Sequence, residues 1–542
     1  MGQGMIAQGI VEDIACSGHL VRHFFGDNLR ACLLDLQRGM PVVWIHDAIG
    51  HGRNMMTGHN TLARAQALAL AFLALFLAGE GRAEPAQVRM SGEHYVYGAS
   101  FRNRNFIGWS TDGTQTEDAF ALWQRLRLRT DVTQGDNLGF TLWLQVNNTP
   151  WGNDYLTVDN PAVSVQVFKA YLQFTVPGTD VQVTAGKQTV TLPQSEAFNG
   201  SVVMDTELGA LAAKIPLAEW ADLILGYGRP LSYVNALEDV AASPRNILDM
   251  AFLSLPFSSE TFSVTPWTAL ALSMNAQGAH PYVGSPDGAP DLGYIRQELY
   301  SLGYFAGRPG YRQDTASTLW GGAASKLAVQ NVALYADLIG ASGGLGDAGK
   351  NKRRGLFADM ALEYTGFDRV TPRVFGWWST GEDADIANGS ERMPALVRTW
   401  NAGGSYLFST GQTFDNSTSV YASPIGAWGI GVTLDRMSLM EDLSSRLTAV
   451  YMRGTNDPAP LRRSVALNGP GYMVTMGKNL SVNEYLMGVN FDHAYAVTPQ
   501  LKLIVETGFA HPGGLQKSIW GARFVNAAQD SWKVAAGFLY SF

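Results

Sequence analysis

Residues 531–542 read SWKVAAGFLYSF, and this last stretch of the chain decides how the rest is interpreted. Every second residue is apolar or aromatic, ending in Phe538, Tyr540 and Phe542, whereas Lys533 stands on the opposite face. Such alternation predicts a β-strand with one face in an apolar medium and the other in a wetter one. In a transmembrane barrel the last strand must pair with the first, because lipid tolerates no open sheet edge. The stretch therefore predicts either barrel closure or an ordinary soluble strand.

Composition narrows the class of protein. The chain has 542 residues, of which 46% are hydrophobic and 16% charged, and its mean hydropathy is −0.03. A helical membrane protein would need several apolar runs of about 20 residues, whereas a β-barrel dilutes its lipid-facing residues with lumen-facing ones. The formal charge of −8 is too small to indicate a nucleic-acid partner. Both cysteines lie near the N-terminus and the later histidines are scattered, so we expect no enzyme, metal or cofactor site.

The N-terminal part of the chain is interpreted as a leader. Residues 68–77 (LALAFLALFL) form an apolar block that follows a basic residue and precedes small residues, which is typical of a secretory signal peptide. Cleavage is predicted between Ala83 and Glu84. The predicted organisation is an upstream extension outside the native protein, a signal peptide and a barrel, at residues 1–54, 55–83 and 84–542. The alternative for the first segment is a long leader with its own role.

From residue 84 onward, alternating segments of about ten residues follow one another. Short connections alternate with long Gly, Asn, Asp and Pro-rich ones along the chain, as periplasmic turns and surface loops do in outer-membrane barrels. The sequence therefore predicts an all-β, transmembrane, antiparallel up-and-down barrel with an even number of strands. The count is eighteen, with sixteen as the alternative because residues 399–408 and 518–524 are ambiguous as strands.

Part of the sequence resembles a known family. Residues 120–132 (FALWQRLRLRTDV), and then 142–174, 177–193 and 197–203, resemble the homotrimeric outer-membrane porins of sulfate-reducing bacteria. The resemblance is dense over residues 87–203 and looser to the C-terminus. It implies a trimeric, passive, water-filled channel for small hydrophilic solutes in the outer membrane of a Gram-negative bacterium.

Three arginines mark the candidate pore wall. Arg125, Arg127 and Arg129 alternate with apolar residues on the second predicted strand, which makes a basic ladder about 13 Å long at roughly 3.3 Å per residue. Facing lipid, each would cost about 2–4 kcal/mol at the bilayer midplane, so the ladder is predicted to face the lumen. The alternative is a solvated wall without a selective role.

The resemblance to trimeric porins implies that the third long connection folds into the lumen opposite this ladder. It spans residues 193–206 (PQSEAFNGSVVMDT) and carries Glu196 and Asp205. Acidic and basic groups facing each other across a narrow gap would form a transverse field that orients solutes and tunes ion preference. Because the arginines outnumber the acids, the sequence favours a weak anion preference.

The remaining expectations concern partners. The resemblance implies that the second long connection (148–164) braces a neighbouring subunit of a homotrimer. Trp151 and Tyr155 are its candidate anchors, since large aromatic residues dominate interface energetics. Phe538, Tyr540 and Phe542 are predicted to be recognised by the barrel-assembly machinery. A non-specific porin is the leading function. A substrate-specific channel, a plugged structural or adhesive barrel, and a soluble secreted β-protein are the alternatives.

Overall fold

The computed structural model describes most of the chain beyond residue 84. The described residues are 85–106, 119–151, 165–233, 246–274, 315–344, 352–385, 388–396, 399–408, 412–414, 420, 422–468 and 479–542. The predicted upstream extension, the signal peptide and its cleavage site at Ala83 and Glu84 lie outside them.

Antiparallel strands dominate these residues. In chain order they are β1 (Gln87–Arg102), β2 (Ala119–Gln134), β3 (Leu138–Pro150), β4 (Gln166–Thr175), β5 (Gln182–Thr191), β6 (Asp205–Ala218), β7 (Ala221–Tyr233), β8 (Asn246–Ser254), β9 (Phe257–Ser258), β10 (Phe262–Met274), β11 (Thr315–Val329), β12 (Val332–Gly344), β13 (Lys352–Tyr364), β14 (Thr371–Ser379), β15 (Ala427–Met440), β16 (Leu443–Gly454), β17 (Tyr485–Ala496), β18 (Leu501–Gly513) and β19 (Ser531–Ser541). The described α-helices are α1 (Pro458–Asn468), α2 (Lys517–Trp520) and α3 (Ala522–Ala527). Single 3₁₀ turns span Glu196–Phe198 and Ala402–Gly404. None of these helices is long and apolar enough to cross a membrane.

The sheet closes on itself. Strands that follow one another in sequence pair with each other, except that β8 and β9 each pair with β7 and β10. The first strand, β1, pairs with both β2 and β19. The two-residue β9 continues β8, because both pair with β10 in the same register: Ser254 faces Trp267, and Phe257 faces Val264. The barrel therefore has eighteen strands, and the predicted fold class and count are confirmed.

The two segments that were ambiguous as strands are not strands. Residues 399–408 contain the second 3₁₀ turn, and residues 518–524 fall within α2 and α3. The count of eighteen is reached without them, so sixteen is wrong.

Short and long connections alternate around the barrel, as predicted. There are eight short connections; the first is residues 135–137 after β2, and the last is residues 497–500 after β17. The nine long ones, numbered L1 to L9, span residues 103–118, 151–165, 192–204, 234–245, 275–314, 345–351, 380–426, 455–484 and 514–530. This alternation places all the long connections at the same end of the barrel.

Exposure alternates along the strands and separates an apolar outer face from an inner face. On β13, Leu356 and Met360 are exposed, whereas Phe357 and Asp359 are buried. On β19, Trp532 and the other even-numbered residues are exposed. The exposed residues are mainly leucine, valine and aromatic, which is the surface that a barrel presents to lipid.

Phe542 completes the closure of the barrel. Its backbone exchanges two hydrogen bonds with Gly92 of β1, at 2.9 and 3.0 Å. A Cβ added to Gly92 would lie only 2.5 Å from the Phe542 ring, so a larger residue there would clash with it. The ring also stacks on Tyr540, with ring centroids 5.6 Å apart. The terminal residue therefore occupies a place that a glycine on the first strand leaves open.

We expect deletion of Phe542 to lower the yield of folded barrel, because β1 loses two hydrogen bonds and its aromatic cover at the closing seam. Heat-modifiable migration of membrane extracts in gel electrophoresis measures the folded fraction. Phe542→Tyr keeps the backbone pairing and the ring, so it serves as the control. Equal yields for the deletion and the control would show that this residue is dispensable for closure.

Candidate functional site: the lumen and its inward connections

L7 crosses the interior of the barrel. Its carbonyl oxygen at Pro394 accepts a hydrogen bond from Trp320 Nε1 on β11, at 2.9 Å. Farther along, the backbone N–H of Tyr406 donates to Asn490 Oδ1 on β17 at 3.0 Å, and the Tyr406 hydroxyl lies 2.8 Å from Ser531 Oγ on β19. A segment that contacts β11, β17 and β19 in turn lies inside the lumen.

The tip of L7 is held by a buried ion pair. Glu506 on β18 accepts hydrogen bonds from the backbone N–H groups of Thr413 and Phe414, at 2.5 and 3.1 Å. The same carboxylate lies 3.0 Å from Lys533 Nζ on β19, and the two side chains are 1% and 0% exposed. The Phe414 ring then stacks on Tyr97 of β1, with centroids 4.3 Å apart.

L3 also folds inward, as predicted. Ser195 donates to Asp337 on β12 from its backbone N–H at 3.0 Å and from its hydroxyl at 2.7 Å. Gln194 Nε2 donates to Asp359 Oδ2 on β13 at 2.6 Å. Because β12 and β13 are not neighbours of β5 and β6, L3 must cross the lumen to reach them.

The two inward connections pack against each other. Backbone N–H groups of L7 donate to L3 carbonyl oxygens, from Leu396 to Val203 at 2.8 Å and from Asn401 to Phe198 at 2.9 Å. Trp400 of L7 stacks on Phe198 of L3 with centroids 5.5 Å apart. L3 and L7 thus form one body, which lies mainly against β11 to β19.

Sequence reasoning missed L7. The sequence predicted only that long connections are surface loops, and it left residues 399–408 ambiguous as a strand. The sequence pattern that indicates an inward connection is the cluster of Trp400, Tyr406 and Phe408 in a segment without strand alternation. Large aromatic residues are usually buried, whereas surface loops are mostly polar.

The basic ladder lies on the inward face of β2. Arg125 faces Tyr95 in register, and its guanidinium lies over that ring at 4.2 Å. Tyr95 in turn contacts the ring of Phe414, at 5.6 Å between centroids, which fixes this face as the luminal one. Arg127 and Arg129 occupy the same face two and four residues farther along β2.

Each arginine is held by the barrel wall itself. Glu93 lies 2.8 Å from Arg125 Nη2 and 3.4 Å from Arg127 Nη1. Asp131 lies 2.6 Å from Arg129 Nε. Aromatic rings cover the guanidinium groups, with Phe168 at 4.4 Å from Arg127 and Trp143 at 5.6 Å from Arg129. Lys169 of β4 also lies over Trp143, at 4.6 Å.

Glu196 of L3 and Asp205, the first residue of β6, are both engaged by groups other than the arginines. Glu196 forms an ion pair with Lys326 on β11 at 2.5 Å, and the hydrogen bond from Lys326 lowers the pKa of the Glu196 carboxyl. Asp205 accepts hydrogen bonds from Thr191, at 2.6 Å, and from Thr399 of L7. The direct acidic partners of the arginines are wall residues, because L3 turns toward β11 to β13.

The remaining candidate residues are placed as follows. Trp151 is 50% exposed and donates from Nε1 to Gln124 at 3.2 Å, whereas Tyr155 lies outside the described residues. Phe538, Tyr540 and Phe542 are exposed on the outer face of the barrel. Within the described ranges, no group of three His, Cys, Asp or Glu side chains could hold a metal ion.

Comparison with known proteins finds likeness in structure only. No family model matches the sequence, and no curated protein matches it. The resemblance to porins of sulfate-reducing bacteria therefore stays a prediction.

The similar solved structures include Pseudomonas aeruginosa OpdO, with a TM-score of 0.47, 11% identity, and coverage of 84% of this chain and 97% of that one. They also include P. aeruginosa OprD, with a TM-score of 0.44, 12% identity and coverage of 84% and 95%. P. aeruginosa OccK11 (OpdR) has a TM-score of 0.45, 9% identity and coverage of 84% and 96%. Likenesses of this size carry no information about solute or mechanism.

Proposed function

We propose that this protein is a selective channel of the outer membrane of a Gram-negative bacterium, passing small hydrophilic solutes and ions along one side of its lumen. The closed barrel with its apolar outer face supports the location, because a barrel without open edges is one of the two backbone arrangements that lipid accepts. The observation that carries the channel function is the charged inner wall of β2 to β4, where the arginine ladder stays partly exposed beside the body of L3 and L7.

The two sides of the lumen differ in accessibility. Against L3 and L7, wall residues such as Trp320 and Phe357 are fully buried. On the opposite side, the side chains of Arg125, Arg127 and Arg129 are 14%, 24% and 41% exposed, increasing along the strand. A row of partly exposed cations beside a packed body is suited to conducting solutes that interact with charge.

Selectivity is favoured over the non-specific porin that the sequence put first. A general porin leaves most of its lumen to water, whereas here L7 fills much of it with aromatic residues such as Trp400 and Tyr406. The same packing also supports the hypothesis of a plugged barrel. A conductance measurement distinguishes a plugged barrel from a selective channel. The three arginines and Lys169 outnumber Glu93 and Asp131, so we propose a weak preference for anions.

Planar-bilayer recording of the purified protein tests this function. We expect discrete conductance steps and a reversal potential in a salt gradient that favours anions. Replacing Arg125, Arg127 and Arg129 by Ser should shift the reversal potential toward cations and raise the conductance. Arg129→Gln alone, at the most accessible position, should give a smaller shift in the same direction.

Arg229→Gln is the matched control for these variants. Arg229 lies on the outer face of β7, where its Nε is 2.6 Å from Asp249 Oδ1, so its loss should leave the reversal potential unchanged. A wild-type protein that folds but never conducts would establish the plugged barrel. If the arginine variants have the same reversal potential as Arg229→Gln, the arginines line a solvated wall and have no selective role.

We also propose that the chain forms a homotrimer braced by L2. The support is the exposed Trp151 at the start of that connection, together with the sequence resemblance. Mass measurement in mild detergent should give three copies, and Trp151→Ala should weaken the assembly. A monomer with L2 intact would contradict the proposal.

A further inference from the structure

Two aspartates meet where L3 and L7 touch the barrel wall. Asp337 on β12 and Asp359 on β13 stand directly opposite each other in register. Both point inward, and they are 4% and 5% exposed. Residues opposed in register on neighbouring antiparallel strands have Cβ atoms about 4.5–5.5 Å apart, so the two carboxyl groups are neighbours inside the lumen. Two ionised carboxylates at this spacing repel each other, and neither carries a hydrogen to donate to the other.

The surrounding donors show which oxygen atom holds the hydrogen. Asp337 already accepts from the Ser195 backbone and hydroxyl. Asp359 Oδ2 accepts from Gln194 Nε2 at 2.6 Å and from Trp400 Nε1 at 2.9 Å. Asp359 Oδ1 is buried and has no donor among the described residues. A proton on this oxygen would let Asp359 donate a hydrogen bond to Asp337, so that neither carboxyl group would lack a partner.

We propose that Asp337 and Asp359 share one proton, carried on Asp359 Oδ1, and that this proton clamps L3 and L7 to the barrel wall. Two adjacent buried carboxyls cannot both ionise cheaply, since like charges repel and burial disfavours each charge. The donors from Ser195, Gln194 and Trp400 fill the remaining oxygen positions, so the pair is suited to a proton and not to a metal ion.

Other charged groups around the pair are already partnered. Glu196 of L3 pairs with Lys326 of β11 at 2.5 Å, and Tyr335 of β12 donates to the same carboxylate at 3.3 Å. Glu363 of β13 pairs with Arg373 of β14. L7 contributes the neutral Trp400. Because these charges cancel in pairs, they do not supply a cation that would stabilise two ionised aspartates.

Loss of the proton should release the clamp. With both carboxyls ionised, their repulsion would weaken the attachment of Ser195 and Gln194, the residues through which L3 reaches the far wall. The effect on conduction rests on the proposed channel function, whereas the shared proton and its effect on stability do not. In the folded state the pair binds one proton more than two free aspartates of the unfolded chain at neutral pH.

Asp359→Asn tests the proposal. The amide nitrogen can donate permanently to Asp337, and the amide oxygen can accept from Gln194 and Trp400, so the clamp stays closed without a proton. Infrared spectra of the wild type at neutral pH should contain the carbonyl stretch of a buried protonated carboxyl, and Asp359→Asn should lack it. Asp249→Asn, which removes a salt-bridged carboxylate from the outer face, should retain it.

Stability gives a second readout. As pH rises above neutrality, the unfolding equilibrium constant of the wild type should increase by up to about tenfold per pH unit relative to Asp359→Asn. Current noise should increase in the wild type only, at the higher pH where this slope levels off, because that is where the folded pair loses its proton. Absence of the infrared band, or parallel pH profiles for the two proteins, would overturn the shared proton. If the infrared band and the difference in pH profile are both present but the current does not change, the shared proton is upheld and its control of conduction is refuted.

Discussion

Lys533→Met is expected to destabilise the barrel by about 3–5 kcal/mol, because it leaves the Glu506 carboxylate buried without its cation. The two side chains are 0% and 1% exposed, so water cannot replace the lost partner. Glu506 also holds the tip of L7 through the N–H groups of Thr413 and Phe414, so the tip should detach as well. Urea unfolding of the protein in lipid vesicles measures the free energy, and single-channel recording should show a noisier or larger current.

The double variant Lys533→Met, Glu506→Gln separates charge from packing. A neutral amide oxygen can still accept from the backbone of L7, and no unpaired charge is left in the wall. Removing both members of a buried pair costs much less than removing one, so most of the lost stability should return. A double variant as unstable as Lys533→Met would show that Lys533 acts through its volume and not through its charge.

The same residue shows what the sequence could and could not predict. Strand alternation in β19 correctly placed Lys533 on the inner face, because a period of two needs only local information. Its burial depends on Glu506, which lies 27 positions earlier, and on the tip of L7, which is more than 100 positions away. Periodicity carries no information about such distant partners.

The inward connections show the same limit. The inward fold of L3 was predicted from the resemblance to trimeric porins, and the regular alternation of short and long connections made the third one countable. The partner of Glu196 was not predicted, because Lys326 becomes a neighbour only when the barrel closes and L3 crosses it. L7 was missed for a related reason: its buried backbone is satisfied by polar groups such as Asn490 on distant strands. In sequence, those groups look like ordinary lumen-facing residues.

Trp400→Ala is expected to cost about 3–5 kcal/mol, the usual range for removing a buried tryptophan. Its ring lies 5.1 Å from Trp377, 5.3 Å from Phe408 and 5.5 Å from Phe198, measured between centroids, so it joins L3, L7 and β14. The cavity left behind would remove the ring that L3, L7 and β14 share as a contact. We therefore expect both a lower urea midpoint and a larger conductance, as the two connections lose their common centre.

Two further variants identify the cause of that loss. Trp400→Phe retains an aromatic ring but removes the hydrogen bond to Asp359, so it should cost about 1–3 kcal/mol and leave the conductance nearly unchanged. Trp378→Ala removes a neighbouring tryptophan that points outward and is 45% exposed, which controls for the loss of an indole without disturbing the lumen. If Trp400→Ala matches Trp378→Ala in both midpoint and conductance, L3 and L7 are held by their wall contacts alone. In that case the aromatic centre does not shape the pore.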